Sequence, residues 1–371
     1  MKFAETFPPG EFLKEELEAR NWNQTELAEI IGRPVKLVNE IILGKRAITP
    51  ETAVQLGEAL GTGPEVWMNL ESQYALSKVN QPDKAVSRKA KLYEKFPVRE
   101  MIKRGWIGTS ESIDALEQQF IRYFNLKSIA DALTIPAHAA KKSSEAVTGL
   151  QLAWLIAARR LASGLVVVPY NRKALRDALP RLHALMSAPE EARHVPRLLN
   201  ECGVRFVVVE ALPSSKIDGA CFWLDGSQPA IAISTRLDRI DNFWFVLRHE
   251  IEHVLCEHGK QATLIFDEDL SDENREDQIE EERAANDAAS VFPFSRAEFD
   301  NYIARVQPYY FAEQKVLNFS ARLGVHPGIV VGKLQRRFGE YKYLRSHLVK
   351  TRHIVVQSAP HDGWGTSAVE A

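Results

Sequence analysis

The sequence has few cysteines and no long apolar run. Its 371 residues include three Cys, at positions 202, 221 and 256, and three scattered thiols cannot form a disulfide framework. No run of eighteen apolar residues is present, which argues against a membrane-spanning helix, and the N-terminus lacks the basic-then-apolar order of a secretory signal. Neither charge sign dominates, since 47 Lys and Arg oppose 49 Asp and Glu. These absences predict a cytoplasmic protein with no membrane partner.

An apolar content of 45% is enough for two or three packed domains. Hydrophobic periodicity predicts a mainly α-helical chain with a small β-sheet, an α+β fold. It also suggests four parts: an all-α unit over residues 1–76, a helical connector over 77–189, a domain containing strands over 190–345, and a tail over 346–371. Because the tail is rich in Ser, Gly and Ala, we expect it to be disordered toward its end.

The N-terminal unit carries start and stop signals for several short helices. Asn23 followed by Glu26 predicts a capping box. A third helix is expected to begin near Pro34 and to end at Gly44, and Thr49 before a proline starts a fourth. Two short helices joined by a tight glycine turn form a helix-turn-helix.

A helix-turn-helix places its second helix in the major groove of DNA, while the start of the preceding helix touches phosphate. The predicted contacts are Arg33, Val35, Lys36 and Asn39 toward the bases, Gln24 and Thr25 toward the backbone, and Lys45 and Arg46 toward phosphates. Charge argues against this interpretation, because residues 1–76 hold seven Lys or Arg against twelve Glu, a net charge of −5. A generic helical bundle is therefore the alternative.

The same unit resembles the HigA-type antitoxins of the Xre helix-turn-helix class. The resemblance rests on Phe7 to Gly10, Asn23 to Ala28, Gly44 to Ala53, Leu60 to Thr62 and Trp67 to Leu70. It implies a repressor of its own operon that binds palindromic operator DNA as a homodimer, often as the antidote of a toxin. The residues alone do not indicate a toxin partner.

A β-branched run from Val204 to Val209 and two further apolar runs, Ala220 to Leu224 and Ala230 to Ser234, predict strands, and the helix that follows contains an HExxH pattern. Two His four positions apart lie about 40° apart and about 6 Å along a helix axis, so His249 and His253 can reach one zinc ion. Glu250 then stands beside the metal, where it can act as a base toward water. The alternative is ordinary hydrogen bonding on a polar face, but the apolar flanks draw both His into the interior.

A catalytic zinc ion needs a third protein ligand. Ten acidic residues between Asp267 and Glu282 lead into a second predicted helix. Its first turn offers Glu282, with Glu281 as an alternative that periodicity does not exclude. Asn286 lies four residues after Glu282 on the same face, where it can orient a ligating His by hydrogen bonding.

Stabilisation of an oxyanion requires a further donor opposite the metal. His326 is one candidate, and Tyr309 and Tyr310 are others. For His326 we favour the alternative of a helix start before Pro327. Cys256, three residues after the second motif His, is interpreted as a core thiol, because a fourth protein ligand would displace the water of a catalytic zinc site.

The order of strands, HExxH helix, acidic loop and a helix with Glu282, Asn286 and a terminal Pro293 resembles the ImmA/IrrE family of metallo-endopeptidases. The resemblance implies a zincin-like fold with one zinc ion per chain, held by His249, His253 and Glu282, with Glu250 as the general base. It also implies a repressor-type protein substrate. The chain departs from the family at the end of the second helix, where Ser and Val replace a Leu-rich stretch.

These observations predict a DNA-binding regulator of antitoxin type joined to a zinc peptidase that cleaves a regulatory protein, either a repressor or a toxin-antitoxin partner. A second interpretation keeps the DNA-binding unit and treats the metal-binding domain as a sensor or a scaffold without turnover. A third is an antitoxin whose C-terminal part only neutralises a toxin. A complete set of His249, Glu250, His253 and Glu282 favours the enzyme, because a dead site would be expected to lose its base.

Overall fold

A computed structural model describes residues 7–79, 84–134, 148–258, 260, 267–268, 280–306 and 312–367. The chain divides into two units, residues 1–87 and 88–371, and each is described by itself. Helices predominate, and strands occur only in the second unit of the described ranges. The predicted α+β fold class is therefore confirmed. None of the described helices combines the length and the apolar character that crossing a membrane requires.

The first unit consists of short helices whose ends follow the predicted signals. The Asn23 side chain accepts hydrogen bonds from the backbone N–H groups of Thr25 and Glu26, and the Glu26 carboxylate accepts one from the N–H of Asn23. Thr49 caps the fourth helix through Thr52 N. The helices are α1 Pro9–Arg20, α2 Gln24–Ile30, α3 Val35–Ile42, α4 Pro50–Leu60 and α5 Pro64–Lys78.

A small apolar core holds these helices together. Leu13, Leu27, Val38, Leu56 and Trp67, from five different helices, are each at most 2% exposed. Burial of such side chains supplies about 1.5 to 3 kcal/mol each before the loss of chain entropy is counted.

The second unit contains the remaining helices and all the described strands. Its α-helices are α6 Ala85–Lys95, which crosses the unit boundary, α7 Val98–Lys103, α8 Ile113–Phe124, α9 Ile129–Thr134, α10 Gly149–Ser163, α11 Arg172–Ala184, α12 Val195–Glu201, α13 Ile240–Leu255, α14 Glu280–Val291, α15 Arg296–Val306, α16 Glu313–Leu323, α17 Pro327–Phe338 and α18 Arg352–Val355. Its strands are β1 Arg205–Val209, β2 Ile217–Trp223, β3 Pro229–Ile233, β4 Asp267–Glu268, β5 His361–Gly363 and β6 Thr366–Ser367.

The strands form one mixed sheet in the order β4-β2-β3-β1-β5-β6. β1 runs parallel to β3, with Val207 opposite Ala232, and β2 runs antiparallel to β3, with Cys221 opposite Ile231. Every residue of β1, β2 and β3 is buried. A strand buried on both faces reads as a continuous apolar run, which is why these three were visible in the sequence.

Helices cover both faces of the sheet. Alternate residues of β1 and β3, such as Phe206 and Ile231, belong to the core that surrounds α13. On the other side, α10 contacts β1, and the indole N–H of Trp154 donates to the carbonyl of Val209 at 3.0 Å. Residues that the sequence analysis assigns to the connector also enter the α13 core, among them Leu175 and Met186. The connector thus supports the same sheet as the motif helix.

The prediction of a disordered tail is wrong for residues 361–367. β5 pairs in parallel with β1, so that the N–H of Glu210 donates to the carbonyl of Asp362 at 2.9 Å, and β6 folds back on β5. The indole N–H of Trp106 also donates to the Asp362 carboxylate. Three residues of strand carry too little pattern to be recognised in a Ser- and Gly-rich sequence, and contacts with β1, β6 and Trp106 stabilise them.

Candidate functional site

The HExxH residues lie in the buried middle of α13. His249 and Glu250 are fully buried, and His253 is 1% exposed. The helix is buried along nearly its whole length because it packs against β2, β3, α14 and α17. The ring of Phe245, one turn earlier, stacks on His249 at 6.4 Å between centroids. Packing therefore turns both imidazoles inward, as their apolar flanks predict.

The third residue of the cluster comes from α14. Two small residues, Ala285 and Ala289, are buried on the face of α14 that packs on α13. Their size lets the two helices approach closely, and Glu282, one turn before Ala285, reaches the imidazoles. Glu281 points elsewhere, with a side chain that is 47% exposed against 11% for Glu282. Asn286 lies half-buried one turn after Glu282, and its orienting role stays a prediction.

The three side chains present a triangle of donor atoms. His249 Nε2 lies 3.0 Å from His253 Nε2, and the Glu282 carboxylate lies 3.3 Å from the first nitrogen and 3.5 Å from the second. Tetrahedral zinc with bonds of about 2.1 Å separates its ligand atoms by about 3.4 Å. Two neutral imidazoles and one carboxylate are also a ligand set that catalytic zinc sites use. The residues therefore fit a zinc ion in both spacing and chemistry.

Glu250 approaches the sheet at a glycine. A methyl group added at Gly219 of β2 would lie only 2.4 Å from Glu250 Oε1 and 2.8 Å from Val246 Cγ1. The absence of a side chain at Gly219 thus makes the space that the carboxylate occupies. The strand pattern did not single out Gly219, although a glycine inside an otherwise apolar strand is a recognised sign of close approach.

His258 is a second residue of the site that the sequence patterns did not single out. Its Nδ1 lies 2.8 Å from Nδ1 of His253, on the side of that ring away from His249. The available signal was a third His within two turns of the HExxH pattern. Ligating imidazoles commonly use their second nitrogen for such a contact.

The structure does not bring His326 to the cluster. It is the N-cap of α17, where its Nδ1 accepts a hydrogen bond from the N–H of Gly328 at 3.1 Å. Gly328 itself packs against Ile240, at the start of α13, and His249 lies nine residues or about 13 Å further along the helix. Burial lowers the pKa of His326. Its role is thus the helix start, and the oxyanion assignment is not supported.

The other secondary candidates have different outcomes. Tyr309 and Tyr310 lie outside the described residues. Cys256 was expected in the core, but it is exposed at the end of α13, and its sulfur lies 3.6 Å from Glu252 Oε1. Partial desolvation of the sulfur and the neighbouring Glu252 carboxylate raise the pKa of this thiol, which favours its uncharged form over a metal-binding thiolate.

The predicted DNA contacts are mostly on the surface of the first unit. Val35, Lys36 and Asn39 are exposed on α3, as are Lys45 and Arg46 after it, with Thr25 exposed and Gln24 half-buried on α2. Arg33 differs, because its guanidinium is half-buried and donates to Gln55 of α4 at 2.8 Å. An arginine held in this way is less available to the edge of a DNA base than a fully exposed one.

One acidic residue lies among these basic groups. Glu40 is 3.1 Å from the Arg46 guanidinium and 3.9 Å from the Lys36 ammonium. Both basic side chains are largely exposed, so the pairs are weak in water. Glu40 nevertheless reduces the positive potential of the α3 surface, where phosphate would approach.

Comparison with known families decides what the two units are. Residues 13–67 match the helix-turn-helix family model, and residues 203–335 match the model of the IrrE N-terminal-like domain. The chain belongs to the helix-turn-helix family through its first unit, and residues 203–335 are similar to the IrrE N-terminal-like domain. The first match covers α2 and α3, and the second covers β1 to β3, α13 and α14. The protein therefore carries a domain of the type found in transcription regulators together with a domain of a metallopeptidase family.

Similar curated proteins match a segment about as long as the helix-turn-helix unit. The HTH-type transcriptional regulator YddM of Escherichia coli is 30% identical over 81 residues, which are 22% of this chain and 86% of that protein. Virulence-associated protein A of Dichelobacter nodosus is 42% identical over 74 residues, 19% of this chain and 72% of that protein.

Solved structures match the same unit. An addiction module antidote protein of the HigA family from Coxiella burnetii is 30% identical, with coverage of 25% of this chain and 96% of that one, and a TM-score of 0.20. The antitoxin HigA of Pseudomonas aeruginosa, solved with the higBA promoter, is also 30% identical, with coverage of 25% and 98% and a TM-score of 0.20.

Proposed function

We propose that the protein is a DNA-binding regulator whose second unit is a zinc-dependent endopeptidase acting on a regulatory protein. The observation that carries the peptidase is the triangle formed by His249, His253 and Glu282, with the buried Glu250 beside it. In this proposal those three residues hold one zinc ion per chain. When bound, the ion would supply Lewis acidity toward a peptide carbonyl.

The chain's own residue for proton transfer is Glu250. Its carboxylate takes a proton from the water whose oxygen attacks the carbonyl carbon of the scissile peptide. The carbon–nitrogen bond then breaks, and the same carboxylate gives the proton to the departing amine nitrogen. Full burial of Glu250 supports this role, because water screens the charge of a buried carboxylate less strongly than that of an exposed one.

The first unit supports the choice of a regulatory substrate. A helix-turn-helix domain with exposed Lys36 and Asn39 on α3 is suited to reading operator DNA. A peptidase joined to such a domain is held near proteins that occupy the same DNA. We therefore propose that the substrate is a repressor or a toxin-antitoxin partner and that the chain acts as a homodimer.

The decisive experiment compares the full-length chain with Glu250→Gln, both loaded with zinc, on a proteome-derived peptide library read by mass spectrometry. We expect the parent chain to cleave peptides, and the variant to retain its zinc while cleavage falls by at least about a hundredfold, the lower range for loss of a general base. Equal cleavage by both proteins would contradict the role of Glu250. No cleavage by either, with zinc bound, would favour the sensor or scaffold.

A further inference from the structure

The end of α13 returns His258 to the metal cluster. The backbone leaves the helix at Glu257, which has a positive φ of 57°, and the N–H of His258 then donates to the carbonyl of His253 at 2.9 Å. The indole N–H of Trp223, from β2, donates to the carbonyl of His258 at 3.0 Å. Hydrogen bonds of both its backbone N–H and its backbone carbonyl hold His258 in place, and its side chain is only 15% exposed.

The ring of His258 faces the second nitrogen of His253. The two Nδ1 atoms are 2.8 Å apart, a distance at which one nitrogen must donate and the other must accept. His253 directs its Nε2 toward His249 and Glu282. If that Nε2 is to offer a lone pair to a metal, the proton of the neutral ring must sit on Nδ1. His253 is then the donor of the pair, and Nδ1 of His258 is the acceptor.

We propose that His258 is a positioning residue that holds His253 in the Nδ1–H tautomer and fixes the plane of its ring for metal binding. The inference rests on the proposed zinc site, and it assigns an acceptor to one of its three ligands. Glu281 lies 4.0 Å from the same His258 nitrogen and is half-exposed. Glu281 therefore lies outside the metal cluster, next to His258, which orients the ligand His253.

The test is the zinc affinity of the full-length protein, measured by competition with a chromophoric chelator. His258→Ala removes the acceptor, and we expect zinc binding to weaken by about 10- to 100-fold, the range for loss of an outer partner of a ligating His. His258→Asn places an amide oxygen near the former Nδ1 position, so it should retain affinity to within a factor of about three. Glu281→Gln, which changes a neighbour and leaves the acceptor, serves as the matched control.

Two further measurements separate orientation from packing. Cobalt substituted for zinc should show an altered visible absorption spectrum in His258→Ala and a parent-like spectrum in His258→Asn. The metal-free variants should keep a cooperative melting transition close to that of the parent, so that a loss of zinc affinity cannot be ascribed to unfolding.

Each other outcome overturns the inference. Parent-like affinity in His258→Ala would show that His253 needs no acceptor there. Equal losses in the Ala and Asn variants would show that ring packing is what matters. A parent chain that binds no zinc would contradict the proposed function as well, whereas the first two results would leave that function intact.

Discussion

Gly219 and Glu250 meet where β2 passes under α13. A methyl group on Gly219 would lie 2.4 Å from the Glu250 carboxylate, well inside van der Waals contact. The methyl group would also lie 2.8 Å from Val246 Cγ1. Both contacts are with the ends of side chains, so we expect a substitution at Gly219 to displace Glu250 and Val246 while the three proposed metal ligands keep their places. A substitution at this contact should therefore change the position of the proposed general base while leaving metal binding intact.

Gly219→Ala should therefore retain one zinc ion per chain and lose peptidase activity by about a hundredfold, the effect of moving a catalytic group by about 1 Å. Zinc content would be measured by atomic absorption and activity on the peptide library. Gly108→Ala is the control, since a methyl there meets only the Gln119 side chain at an ordinary 3.4 Å. Loss of zinc together with activity would contradict the separation.

The two adjacent acidic residues of α14 should behave differently toward zinc. Glu282→Ala removes a proposed ligand, and we expect affinity to fall by more than the roughly 10- to 100-fold that follows loss of an outer partner. Glu281→Ala changes an exposed carboxylate and should bind zinc as the parent does. Chelator competition measures both, and a reversed order would make Glu281 the ligand.

The α3 surface should determine DNA affinity in both directions. Lys36→Ala and Asn39→Ala should weaken binding by about 1 to 3 kcal/mol if each side chain makes a base contact. Glu40→Gln should strengthen it, because this carboxylate lies close to Lys36 and Arg46. Fluorescence anisotropy on a duplex from the upstream region of the chain's own gene would measure all three. Lys14→Ala, on α1, is the charge-matched control, and an equal loss there would indicate only a net-charge effect.

His326 should make stability depend on pH. Burial lowers its pKa from the ordinary 6.5, so below that pH the unfolded chain binds a proton that the folded chain excludes, and stability falls. Protonation would also remove the Nδ1 acceptor that caps α17. In His326→Asn the amide keeps a cap without titrating, so the free energy of unfolding of the parent relative to this variant should fall between pH 8 and pH 5. Denaturant titrations at the two pH values measure it, and a constant difference would contradict the prediction.

Much of the fold was predictable because its signals are local. The capping box of Asn23 and Glu26, the cap at Thr49 and the three buried strands depend on residues within one or two turns of each other. The spacing of His249 and His253 is also local, since a helix places positions four apart on one face. These features need only the chain's own backbone geometry.

The errors came where partners are distant in sequence. The sequence pattern did not predict the hydrogen bond between Arg33 and Gln55. It also did not predict that residues 361–363 pair with β1. A three-residue strand has no periodicity of its own, and its stability comes from the ladder it joins. For this reason the Ser, Gly and Ala content of the tail predicted disorder where the structure has a strand.

The sequence by itself determined that His249 and His253 share one helix face with Glu250 beside them, and that a helix-turn-helix precedes them. Only the tertiary structure decided that Glu282, rather than Glu281, faces the imidazoles, that Gly219 leaves space for Glu250, and that His258 returns to His253. Helical spacing sets what a residue can reach within a few turns. Which surfaces then meet depends on how whole helices and strands pack, and that involves side chains too far apart in the chain for any local pattern to record.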